Sequence, residues 1–186
     1  TGAVSTGATT TVNLGANAGY TGSGSTNINI GSNAGQINQG GNSVALGNQA
    51  GNLNQGVSSI SIGDNAGNIN QGIYSISAGY KAGEKNQGNY GIAIGNQSGN
   101  TGQQKNSISI GNNSGQTNQG FGLGLTTGYS IAIGDQAGQN YQNYWGISMG
   151  SLSGQNSQGY GSLAIGNQAG QYSQGYTSIA IGFQSA

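Results

Sequence analysis

A parallel β-solenoid is the fold this sequence predicts. Three observations carry it: a phrase that returns every sixteen residues, a large-small-large alternation inside the phrase, and a glycine that closes it. Taking that closing glycine as position zero, the series is Gly15, Gly31, Gly47, Gly63, Gly79, Gly95, Gly111, Gly134, Gly150, Gly166 and Gly182. Every step is sixteen residues except the one from Gly111 to Gly134, which is twenty-three. The reading is all-β: about eleven rungs of sixteen residues, with one seven-residue insertion. Repeat cores reject insertions and loops absorb them, so the extra residues are assigned to a loop within Phe121 to Tyr129.

Each element follows from the columns of the repeat. Residues 1–10 fit the pattern poorly and are read as a cap or linker, leaving 11–186 as a single solenoid domain. At minus three every rung carries Val, Ile or Leu, and at minus one every rung carries Leu, Ile or Met except for Ala78. Only Ala, Ser or Asn stands between them, which is the period of a strand. A turn follows, with Ala or Ser at plus three and glycine at plus four in ten of eleven rungs. A short polar segment then leads to a second recurrent glycine at plus nine, preceded by Gln39, Gln55, Gln71, Gln87, Gln119, Gln158 and Gln174. So many regularly spaced glycines exclude a helix. The expectation per coil is two strands of about five residues joined by two turns.

Two arrangements of the columns stay open, and size favours one of them. A sixteen-residue coil is narrow, and the small residues at minus two and plus three let two backbones approach closely. The aliphatic columns then form an outward stripe far larger than a monomer leaves wet, which calls for cover by another subunit. The opposite arrangement, isoleucine inward in a monomer, needs large apolar partners across the coil. Plus six supplies them only at Ile37, Leu53, Ile69 and Tyr172, against Lys85, Thr101, Thr117 and Asn156.

The composition bounds function more by exclusion than by motif. Glycine accounts for 40 of 186 residues, there is no proline, and three basic residues balance three acidic ones. Such a chain lacks the positive field that nucleic-acid binding requires. No apolar run approaches the ~18 residues of a membrane span. With neither His nor Cys, the common general base, the thiol nucleophile and the soft metal ligands are missing, so an enzyme is not expected. No cofactor or metal is expected either. Asp64 and Asp135 share a column but stand four rungs apart, ~19 Å at the strand spacing, and Glu84 lies in another column. Asn96-Gln97-Ser98 and Asn112-Asn113-Ser114 match glycosylation acceptors, a pattern the repeat generates by itself.

Two phrases, "NSVALGNQA" from Asn42 to Ala50 and "NSISIGNNS" from Asn106 to Ser114, resemble the head repeats of trimeric autotransporter adhesins. Similar Ile-Gly repeats occur in phage tail fibres and in surface proteins of large DNA viruses. The resemblance spans nearly the whole chain, although the sixteen-residue period is longer than the adhesin unit and the Gln-Gly element is added. It implies a β-roll whose copies pack side by side as a homotrimer or filament. It also implies an extracellular, cell-surface or virion-surface location and attachment to a host glycan or protein.

The candidate binding residues are aromatic. Tyr74, Tyr90, Phe121, Tyr144, Trp145, Tyr160 and Tyr176 fall in two adjacent columns, plus ten and plus eleven, just before the aliphatic strand. Such a row can stack sugars or protein partners, or seal a subunit boundary. Lys81, Glu84, Lys85 and Lys105 read as a solvated patch that discourages aggregation. The function expected is a structural repeat domain of an extracellular fibre, filament or adhesin. The alternatives are an ice-binding solenoid, for which Thr at plus six occurs only at Thr21, Thr101 and Thr117, and an amyloid-like matrix protein.

Overall fold

The structure, a computed structural model, describes residues 11–121 and 128–186. The segment 1–10, read as a cap or linker, and most of the insertion lie outside the described residues. In chain order the strands are β1 (Val12–Leu14), β2 (Ile28–Ile30), β3 (Val44–Leu46), β4 (Leu53–Gln55), β5 (Ile60–Ile62), β6 (Ile69–Gln71) and β7 (Ile76–Ala78). They continue with β8 (Lys85–Gln87), β9 (Ile92–Ile94), β10 (Ile108–Ile110), β11 (Ile131–Ile133), β12 (Ile147–Met149), β13 (Leu163–Ile165) and β14 (Ile179–Ile181).

All the aliphatic phrases join one eleven-stranded parallel sheet, and β4, β6 and β8 form a second sheet of three. The register never slips: Ile60 pairs with Ile76, Ser61 with Ser77 and Ile62 with Ala78, and the other rungs align likewise. Isolated bridges extend the second sheet in both directions, from Thr21 through Ile37 to Leu53 and from Lys85 through Thr101, Thr117, Asn140 and Asn156 to Tyr172. Each strand therefore finds its backbone partners in the coils above and below. The Ile60 N–H donates to the Ser75 carbonyl at 2.9 Å, and the Gly63 N–H to that of Leu46 at 2.8 Å. The parallel β-solenoid read from the sequence is the fold. At ~4.8 Å per rung its eleven strands make a rod roughly 50 Å long.

The strands are shorter than expected, three residues rather than five. The cause is local. Left-handed residues recur at plus two (Asn17, Asn33, Asn65), plus seven (Asn54, Asn70, Asn86) and plus eleven (Asn42, Tyr74, Trp145), with φ between 54° and 60°. Each one bends the chain before an extended run can lengthen. Asn tolerates this conformation better than most residues, which accounts for its abundance in the turn columns. The closing glycine has a stricter reason to be there. Gly63 has φ of 124°, and a Cβ on it would stand 2.7 Å from the Gly79 carbonyl oxygen of the next coil.

The interior is made of small residues and glutamine. The buried apolar side chains of the described residues are all alanine, among them Ala45, Ala93, Ala132 and Ala164 at minus two and Ala34, Ala66 and Ala137 at plus three. Serine fills the remaining places, and Ser61, Ser77, Ser109 and Ser148 are fully buried. The largest buried side chains are the glutamines at plus eight, including Gln55, Gln103, Gln119, Gln142 and Gln158. Their amide groups tie the two sides of a coil together: Gln103 Nε2 donates to the Ile92 carbonyl at 2.8 Å, and Gln158 Nε2 to that of Ile147 at 2.7 Å. The amide oxygens accept from serine hydroxyls on the facing strand, as Ser77 to Gln87 at 2.7 Å and Ser148 to Gln158 at 2.6 Å. Where alanine replaces that serine, the preceding glutamine can donate instead, as Gln87 to Gln103 at 3.1 Å and Gln39 to Gln55 at 3.0 Å, but Gln142, facing Ala132, gains no such donor. A polar core of this kind is stable because nearly all its groups are satisfied; among the described residues Ser23 Oγ, Asn29 Oδ1 and Gln142 Oε1 are the buried exceptions.

Candidate functional site

The aliphatic columns point away from the glutamine interior. On the outer face of the eleven-stranded sheet, Leu46, Ile62, Ile94, Ile110 and Met149 are 36–42% exposed. Between them, Ala45, Ser61, Ala93, Ser109 and Ser148 have no accessible surface. Strand geometry requires this split, since neighbouring side chains leave a strand on opposite faces. The twenty-one large aliphatic residues of the two columns thus form one continuous outward stripe along the rod.

The aromatic columns sit on the corner that leads into this stripe, and they form two groups rather than one row. Tyr74 and Tyr90, one coil apart, stack with centroids 5.5 Å apart and ring planes 13° from parallel. The next coil carries Lys105 and Asn106 in these columns and ends that group. The second group runs from Tyr144 to Tyr176; Phe121 bridges Asn143 and its carbonyl accepts the Tyr144 backbone N–H at 3.1 Å, but its ring packs against none of these rings. Tyr144 then lies 4.5 Å from Tyr160, and Tyr160 lies 6.3 Å from Tyr176, centroid to centroid. The Trp145 indole fills the angle between them, 5.8 Å from Tyr144 and 5.4 Å from Tyr160.

Tyr129 was not among the sequence-derived candidates because the insertion displaces its count from Gly111. Counted back from Gly134 it occupies the column of Tyr74, Tyr90 and Trp145, and it has the same left-handed φ, 56°. Its backbone N–H donates to the Lys105 carbonyl at 3.1 Å. Gly128 and Tyr129 have therefore already rejoined the coil, and the insertion is narrower than Phe121 to Tyr129.

The ionisable groups do not converge. Asp64 accepts amide bonds from Asn48 and Asn65, both at 2.9 Å. Asp135 accepts from Asn112 at 2.7 Å and Gln136 at 3.3 Å, and Glu84 from Asn100 at 2.8 Å. Among the described residues no three acidic, His or Cys side chains gather where they could hold a metal ion. Of the charged patch, Lys85 and Lys105 are exposed, whereas Lys81 and Glu84 are partly covered, with the Lys81 ammonium 5.5 Å from the Tyr80 ring centroid. The two formal glycosylation acceptors are committed to the stack. Asn96 donates to Asn112 at 2.7 Å, and the Ser98 and Ser114 hydroxyls are fully buried.

Among the described residues the geometry thus offers two extended surfaces, an aliphatic stripe and at its border an aromatic corner. Comparison of the chain with protein-family models, with curated proteins and with solved structures finds no match.

Proposed function

We propose that this chain is a structural repeat domain, a stiff segment of an extracellular fibre or adhesin that packs side by side with copies of itself through the aliphatic stripe. One observation carries this reading. The coil interior buries alanine as its only apolar side chain among the described residues, while twenty-one larger aliphatic residues face outward. These side chains are partly covered by their own ladder, and the apolar area they leave open contributes about 25 cal/mol per Å² when a neighbouring chain covers it. Parallel register supports a second copy as the cover. A ladder with one side chain per rung meets a partner ladder of identical spacing, and the two interdigitate along their whole length. The resemblance to adhesin heads points to a homotrimer, and the same stripe on both sides of a contact also builds a filament.

Stiffness is then the mechanical output. Every coil is held by backbone bonds to both neighbours, and amide ladders such as Asn38 to Asn54 to Asn70 to Asn86, at 2.9–3.1 Å, run along the outside. Sedimentation equilibrium tests the reading. The chain is expected to sediment as a discrete oligomer or longer assembly. The double variant Ile94→Lys, Ile110→Lys is expected to sediment as a monomer that keeps its β-type circular dichroism. A native chain that stays monomeric across the concentration range would refute the proposal.

A further inference from the structure

The second aromatic group has properties that stripe packing does not require. Four successive coils carry an aromatic residue at plus ten, namely Phe121, Tyr144, Tyr160 and Tyr176, and Trp145 adds a ring beside them. The rings are partly open to water: Phe121 is 49% exposed, Trp145 52% and Tyr176 77%. Their neighbours are low, with Gly159, Gly161 and Gly175 on either side of Tyr160 and Tyr176. Among the described residues the phenol hydroxyls of Tyr144, Tyr160 and Tyr176 and the Trp145 indole N–H make no hydrogen bond, and Tyr176 and Trp145 are exposed.

Charge narrows the ligand further. From Phe121 to the last residue the chain carries one ionisable acid, Asp135, and no base. The acid is at plus one, already bonded by Asn112 and Gln136, and away from the aromatic columns. Exposed Lys105 stands in the same column beyond the Tyr144 end of the row, so a phosphorylated or sulfated partner finds one counter-charge at that end only, and a strongly basic partner finds none among the rings. The row also runs along the rod, advancing one ring per coil, so it suits an extended ligand rather than a compact one. Hydroxyl and indole donors beside partly exposed rings, with no charged group among them, match sugars. The C–H faces of a β-linked hexose stack on aromatic rings while its equatorial hydroxyls bond to donors at the rim.

We propose that Tyr144, Trp145, Tyr160 and Tyr176 form a binding platform for an extended, neutral, β-1,4-linked polysaccharide lying along the rod. This rests on the chain being an extracellular module, but not on its oligomeric state. Trp145 is the only tryptophan in the sequence and sits inside the platform, so its fluorescence reports occupancy directly. The test is a titration of the full chain with cellohexaose and with chitohexaose, with curled α-1,4-linked maltohexaose as a control.

The expected result is a saturable emission shift with at least one β-linked hexamer and none with maltohexaose. Tyr160→Ala and Tyr176→Ser should each weaken binding about tenfold, and Tyr20→Ala, at an exposed tyrosine outside the aromatic columns, should leave it unchanged. Tyr176 is exposed enough for its variant to fold normally, and circular dichroism of both variants checks this. The proposal is overturned if neither β-linked hexamer shifts the emission. It is equally overturned if the emission follows protein concentration alone, which would place the rings in a contact between copies. The monomeric Ile94→Lys, Ile110→Lys variant should still bind. Loss of oligomers and loss of sugar binding are therefore separable outcomes.

Discussion

Gln142 occupies the same interior column as its neighbours in the stack, yet its Oε1 has no donor. Its facing residue is Ala132, whereas Ser109 and Ser148 stand at the paired positions in the coils on either side. Ser148 donates to Gln158, and Ser109 supplies the same bond to Gln119. Ala132→Ser should therefore complete the network and raise the unfolding free energy by about 1 kcal/mol, measured by chemical denaturation. Ser148→Ala should do the reverse, leaving Gln158 Oε1 without that donor at a cost of about 1–3 kcal/mol. Gln103→Glu tests the column in another way. Gln103 is fully buried and donates to the Ile92 carbonyl and to Gln119, so a carboxylate there loses its donors and is cut off from water. Burial raises the folded-state pKa of such a Glu above its unfolded value of ~4.3. Its cost is absent below that value and grows as pH rises toward the folded pKa. The variant should melt closer to the native chain at pH 4 than at pH 7, where pH 4 is about the unfolded value.

Each coil, as an element, depends on a glycine that cannot be replaced without moving its neighbour. A Cβ on Gly134 would lie 2.6 Å from the Gly150 carbonyl oxygen, and its φ is 133°. Gly134→Ala should cost at least about 3 kcal/mol and lower the melting temperature sharply. Gly182 has a similar φ, 118°, but open space around its missing Cβ, so Gly182→Ala should cost only the backbone strain, about 1–2 kcal/mol. The difference between the two melting curves isolates the contact from the conformation.

The glycine spacing and the strand phrase were legible from the linear pattern, because stacked coils repeat the same steric demand at the same interval, whereas the facing of the isoleucines was favoured by it but left open. The glutamines were visible only as a residue that precedes a turn. Their burial depends on a fit that no periodicity encodes: the side chain from plus eight is long enough to reach the carbonyl at minus three across the coil. Tyr129 was hidden for a different reason, since an insertion shifts the count while the fold restores the column. The division of the aromatics into two groups follows from Lys105 and Asn106, whose place in the columns could be read but whose interruption of the stacking is a matter of distance.

The whole molecule presents an apolar face without charges to guide its assembly. Association through that face should be nearly indifferent to salt, because Ile and Leu ladders offer no counter-ions to screen. Sedimentation at low and high ionic strength checks this, and dissociation by salt would point to a different contact.

The central claim is that isoleucine faces a neighbouring copy while the small residues face the coil. The chain has no cysteine, so single cysteines report without background. Ser109→Cys and Ile110→Cys place a thiol on adjacent residues of β10, one fully buried and one 36% exposed. Under mild oxidation at low protein concentration, the Ile110→Cys chain should form a disulfide-linked dimer, and the Ser109→Cys thiol should react only after denaturation. A reactive Ser109→Cys beside an Ile110→Cys that neither cross-links nor labels would turn the coil inside out and contradict the account.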